Sequence, residues 1–233
     1  MIILDQLDVW IFDLDNTLYS ADCDLFSQID ARMTNFIIER LSLDYPQARK
    51  MQKDFYVRYG TTMSGLMTEH DIEPDHFLDF VHDIDVSVVE TNEALAAALS
   101  KLPGRKYIYT NGSVQHAENV TNALGITHHF DDVFDIKAAG YTPKPKRAPY
   151  ETFIQKFSID PARAVMCEDL AQNLETPHDL GMTTVLVCSD AAWLADEPEA
   201  KRPAQPGETG DHIHYATDNL AEFLQNTIDS KGP

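Results

Sequence analysis

Val9-Trp10-Ile11-Phe12-Asp13-Leu14-Asp15-Asn16-Thr17 is the stretch from which the rest of the chain is read. Four consecutive apolar residues read as a strand buried on both faces. The strand delivers two carboxylates, two positions apart, at its carboxyl end, where open α/β sheets place their chemistry. In an ideal strand Asp13 and Asp15 would point the same way, but Asn16 and Thr17 mark a turn that bends Asp15 aside. One carboxylate then faces a substrate from below and the other from the side. The same residues also fit a strand that ends in a polar turn with an Asp helix cap, so the discrimination must come from elsewhere.

Downstream, residues 22–89 are helical in pattern. The expected helices are Leu25 to Leu43, Gln47 to Tyr59, Thr62 to Glu69 and Asp75 to Val81, punctuated by Pro46, Gly60 and Pro74. After Thr91, the expected cap of a helix through Leu99, short apolar runs alternate with amphipathic ones. Strands are expected at 106–109, 133–136, 164–167 and 183–187, and helices at 114–124, 150–157 and 170–180. This alternation builds a doubly wound parallel α/β sheet. The expected division is an α/β core from residues 1–18 and 91–233, with an inserted α-helical cap over 19–90. An insertion hung from the carboxyl end of a strand forms a lid over the site. Residues 196–210, rich in Pro, Glu and Gly, read as a mobile surface loop before a last strand and helix within 213–228.

Acidic residues outnumber basic ones by 38 to 18, a formal net charge of -20. That field repels nucleic-acid backbones and anionic membranes, so neither is expected as a partner. A small anionic substrate remains compatible, because a bound cation and a few Lys or Arg invert the local field. Cys23, Cys167 and Cys188 lack metal or redox spacing, and no apolar run approaches the length of a membrane span. The expectation is a cytoplasmic protein, monomer or homodimer.

Three further motifs follow expected strands. Tyr109-Thr110-Asn111-Gly112 offers a hydroxyl and free N–H groups at a helix start, suited to a phosphate oxygen. Lys144 stands in Thr142-Pro143-Lys144-Pro145-Lys146-Arg147-Ala148-Pro149-Tyr150, a proline-fixed cationic loop in an acidic chain. Cys167-Glu168-Asp169-Leu170 again ends a strand in carboxylates, with Asn173 one turn further on. Singly, these also fit a helix cap, a solvated basic turn and an acid-rich helix start. Together, the fold brings them to one sheet edge. Asp13, Asp15 and Asp169 would there repel one another by several kcal/mol at an effective dielectric of about 20. A hard divalent cation with oxygen ligands, Mg2+, removes that repulsion.

In this order and spacing, Asp13-x-Asp15-x-Thr17, Thr110-Asn111, Lys144-Pro145 and Glu168-Asp169 resemble the four motifs of the haloacid dehalogenase superfamily. The helical insertion resembles the cap of its subfamily I. Asp13 to Tyr19, Tyr59 to Leu66 and Val81-His82-Asp83-Ile84-Asp85 resemble the pyrimidine 5'-nucleotidase branch, which dephosphorylates monophosphates such as UMP and CMP. The resemblance implies that Asp13 is the nucleophile and forms an aspartyl-phosphate, with Asp15 as general acid and base. It implies Mg2+ held by Asp13, Asp169 and the backbone carbonyl of Asp15, with Glu168 through water. Thr110 and Lys144 would grip the phosphoryl oxygens. The acid at Asp15 favours phosphate chemistry over dehalogenation. The alternatives are a phosphatase for a sugar phosphate or phosphoglycolate, and a non-catalytic scaffold.

Asn111, Tyr59 and Thr62 are the expected substrate-binding residues. Tyr59, Thr61, Thr62 and Gly65 sit at a turn able to approach a nucleobase, although a plain helix corner fits them too. Lys50 and Lys53 read as a solvated helix face, and the histidines as solvated or packing residues.

Overall fold

Val9–Phe12 forms β1 at the middle of the sheet, buried along its whole length. The computed structural model describes residues 6–199 and 202–230. Residues 1–5 and 231–233 of the expected core, and 200–201 of the expected loop, lie outside it. Among the described residues the sheet has six strands, all parallel, in the order β3-β2-β1-β4-β5-β6. They are β2 (Arg105–Tyr109), β3 (Asp132–Phe134), β4 (Ala164–Glu168), β5 (Thr183–Val187) and β6 (Tyr215–Thr217). The chain winds outward from β1 through β2 and β3, then crosses back to β4. The sheet therefore reverses direction at β1, where doubly wound folds bind their ligands.

Register fixes what meets there. Phe12 pairs with Ile108 on one side and Cys167 on the other, so Asp13, Tyr109 and Glu168 leave the sheet at the same height. The ladder continues into the site through Asp13 N–H, which donates to the Cys167 carbonyl at 2.9 Å.

Alternation along β1 splits the core. Trp10 and Phe12 face helices α5 (Glu93–Lys101), α6 (Val114–Leu124) and α9 (Leu220–Asp229). Val9 and Ile11 face α7 (Arg147–Phe157) and α8 (Ala171–Asp179). Between β1 and α5 stand α1 (Leu25–Leu41), α2 (Tyr45–Tyr59), α3 (Thr62–His70) and α4 (Pro74–Val81). These four helices bury their own cluster, including Ile29, Phe36, Ile37, Phe55, Leu66 and Phe77. Helix α2 begins at a capping box between Asp44 and Gln47 and stops at Gly60, whose φ of 89° suits glycine. Gly65 is required by packing. A Cβ there would stand 2.3 Å from Phe55 Cγ, so its absence lets α3 lie against α2.

The structure departs from expectation in several places, of which three bear on the argument. Helix α5 is capped by Asn92, whose side chain accepts from Leu95 N–H, and not by Thr91. Helix α7 starts three residues before Tyr150 because Pro149 fits a first turn. Of the expected surface loop 196–210, residues 205–210 are exposed, but part of the stretch before them packs inward. Glu197 and Ala204 are buried, and Ala204 N–H donates to the Asp169 carbonyl at 2.8 Å. Proline and glycine there signalled irregular backbone, which is compatible with close packing.

Candidate active site

Lys144 is the hub of the sheet edge. Its Nζ lies 2.7 Å from Asp13 Oδ1 and 2.5 Å from Glu168 Oε2, and it donates to the Tyr109 carbonyl at 3.1 Å. All three charged side chains are buried. The loop that presents Lys144 is tied down by Asn111, whose Oδ1 accepts from Lys144 N–H at 2.9 Å. Thr110 Oγ1 accepts from Gly112 N–H at 2.9 Å, which leaves its own proton for a ligand.

Carboxyl oxygens of Asp13, Glu168 and Asp169 lie within 4.8 Å of one another. One ammonium does not balance three carboxylates. Burial and the nearby Glu168 push the Asp13 carboxyl up to about 8, against the pull of Lys144. Burial, Glu168 and Asp13 likewise push Asp169 well above the carboxylate range. Burial would lower Lys144, but Asp13 and Glu168 outweigh it and hold the ammonium charged. Three buried oxygen donors with surplus negative charge are the donor set of a hard divalent cation. Asn173 Oδ1, buried and unpaired, lines the same cavity.

Asp15 stands apart from this cluster. Its Oδ1 accepts from Tyr19 Oη–H at 2.6 Å and lies 2.8 Å from His116 Nε2. Burial raises its carboxyl, yet His116 and Tyr19 outweigh that and bring it below the usual range. His82, at the end of α4, stacks on His116 with centroids 4.3 Å apart and planes 6° from parallel. Burial and His116 push His82 down to about 3, so it is neutral, and its Nδ1 lies 3.1 Å from Ser113 Oγ. The expectation that the histidines only pack or face water is thus corrected for His82 and His116. A signal was present: His116, Ala117, Val120, Thr121 and Leu124 form the buried stripe of α6, and His116 falls on it beside Thr110.

Above these groups lies a cavity open to solvent. Its far wall is apolar. Phe26, Ile29 and Met33 come from successive turns of α1, Met63 from α3, and Phe77, Leu78 and Val81 from α4. Asp30, Gln52, Tyr56, Thr61, Thr62 and His82 are its polar members from the cap, and Glu197 enters from the loop after β5.

The cap expectations fare unevenly. Thr62 lines the cavity, but its hydroxyl is engaged by the Gln52 carbonyl at 3.2 Å. Tyr59 turns away, packing edge-on against Phe55 and pairing its hydroxyl with Glu69 and Arg58. Gly65 is occupied by Phe55. Lys53 is not solvated: it bridges Asp30 at 2.8 Å and Glu197 at 2.6 Å, tying cap to core.

A doubly wound sheet with paired aspartates after its first strand, and a helical insertion behind them, defines the haloacid dehalogenase-like class. The profile of the haloacid dehalogenase-like hydrolases matches residues 7–181, and the chain belongs to that family. Phosphate metabolism protein 8 of Saccharomyces cerevisiae is 27% identical over 196 residues, which is 76% of this chain and 60% of that protein. The chain thus spans about 60% of the length of this curated relative. A phosphatase of the family from Thermococcus onnurineus superposes with a TM-score of 0.62 at 16% identity, covering 94% of this chain and 97% of that one. The putative hydrolase YfnB of Bacillus subtilis, solved with magnesium, gives 0.59 at 15%, covering 96% and 99%. At those identities the structures show a shared fold. Among the described residues, no helix is long and apolar enough to cross a membrane.

Proposed function

We propose that this hydrolase cleaves phosphomonoesters through an aspartyl-phosphate on Asp13, and that its substrates are pyrimidine nucleoside 5'-monophosphates. The observation that carries the first part is the Lys144 ammonium lodged between Asp13 and Glu168, with Asp169 beside them and Asp15 a separate, hydrogen-bonded acid. Lys144 restrains Asp13 and offers its charge to the incoming phosphoryl oxygens, and the Thr110 hydroxyl supplies another donor. Asp13 attacks phosphorus while Asp15 protonates the leaving oxygen. Asp15 then takes a proton from the water that releases phosphate. Asp13, Asp169 and the Asp15 carbonyl would hold Mg2+, with Glu168 bound to Lys144 nearby; the ion would neutralise charge on the phosphoryl group.

Two features support a nucleotide. The motif likeness to the pyrimidine nucleotidase branch is one. The other is the apolar cap wall, which suits the faces of a base and offers few partners to the hydroxyls of a hexose. The test is phosphate release with Mg2+ from UMP, CMP, AMP, phosphoglycolate, hexose phosphates and p-nitrophenyl phosphate, with Asp13→Asn as the blank. UMP and CMP are expected to lead by about tenfold or more in kcat/KM. Equal rates across the set would overturn the nucleotide assignment alone. No release by the wild type would overturn the phosphatase assignment as well.

A further inference from the structure

Asp15 has two carboxyl oxygens, and the protein treats them differently. Oδ1 takes the Tyr19 hydroxyl at 2.6 Å and His116 Nε2 at 2.8 Å, while among the described residues nothing is hydrogen-bonded to Oδ2. An ionised carboxylate only accepts, so both neighbours must donate, and His116 Nε2 bears a proton. His116 Nδ1 is buried and unpaired. The ring is braced from behind by His82, in turn anchored on Ser113, and Tyr19 is itself buried. Asp15 lines the cavity, and its side chain keeps 18% exposure.

We propose that Tyr19 and His116 act as positioning residues that saturate Oδ1 of Asp15 and so reserve Oδ2 for proton transfer. The inference rests on the phosphatase reading above. In the first half-reaction Asp13 bonds to phosphorus, the bond from phosphorus to the leaving oxygen breaks, and the proton on Asp15 Oδ2 passes to that oxygen. In the second, water bonds to phosphorus, the bond to Asp13 breaks, and the water's proton returns to Oδ2. A proton on Oδ1 would compete with two donors already directed there. The clamp therefore selects both the oxygen and the direction from which the proton travels. His82 sits where the cap returns to the core, so the brace on this clamp comes from the cap side.

Leaving-group chemistry tests this. An alkyl ester needs protonation of its leaving oxygen, whereas p-nitrophenolate leaves without it, and kcat/KM reports events up to phosphoryl transfer. In His116→Ala and Tyr19→Phe, kcat/KM for the best alkyl ester of the wild type should fall roughly 30-fold, and that for p-nitrophenyl phosphate less than about threefold. Added imidazole should restore part of the loss in His116→Ala. Parallel falls for both esters, or no fall in either, would overturn the clamp while leaving the phosphatase standing. A wild type that hydrolyses neither ester would overturn both. Tyr19→Phe keeps the buried ring, so it carries the test even where His116→Ala does not fold.

Discussion

At the sheet edge, Asp13, Glu168, Asp169 and Lys144 are crowded into buried positions, each charge answered by another or left in need of one. The cap meets the same cavity with Phe26, Ile29, Met33, Phe77 and Leu78, and pairs its polar groups with one another or, through Lys53 and His82, with Glu197 and Ser113 of the core. Asp30, for example, gathers Arg49, Gln52 and Lys53. The edge is an electrostatic device whose parts cannot be exchanged. The cap is a shaped surface whose parts are constrained mainly by volume. Loss of Lys144 should therefore cost both chemistry and stability, and loss of one cap residue chiefly packing.

The largest effect is expected at Lys144. Lys144→Met should lower turnover by a factor of about 1,000 or more, and destabilise the fold by about 3 kcal/mol by leaving buried carboxylates without their cation. The sign of the pH dependence follows from the raised Asp13 and Asp169 carboxyls. Their contribution to stability is full below the unfolded value near 4 and is lost as pH rises, for Asp13 through about 8. Without Lys144 that loss deepens, so the deficit in Tm should be greater near pH 8 than near pH 5. An equal deficit at both would place the role of Lys144 in packing.

A smaller effect is expected in the cap. Gly65→Ala drives a methyl into Phe55, which cannot retreat from the cap core, and should cost about 1–3 kcal/mol of cap stability. Hydrogen exchange should quicken in α2 and α3 while β1 and β4 stay protected. Protection lost equally in the sheet would show that cap and core unfold as one unit.

The same contrast explains what could be read from the sequence. The sheet and the edge motifs were legible because each is local: an apolar run followed by Asp13, Thr110 or Glu168 places the residue at a strand end. Lys144 needs only its own proline-fixed loop. Tyr19 and His116 were not legible as partners of Asp15, since 101 residues separate His116 from it and the contact exists only once α6 is laid beside β1. Tyr59 misled for the same reason. Its place at a turn marked it as available, but the path of α3 gave its hydroxyl to Glu69. Glu197 and Lys53 meet across 144 residues, a pairing that no local pattern encodes.

The most direct measurement of the central claim is the mass of the enzyme quenched in acid during turnover of its best phosphomonoester with Mg2+. The account predicts a gain of one phosphoryl group, mapped to the peptide holding Asp13 and absent in Asp13→Asn. An active wild type that carries no adduct at any quench time, or carries it on another residue, would contradict it.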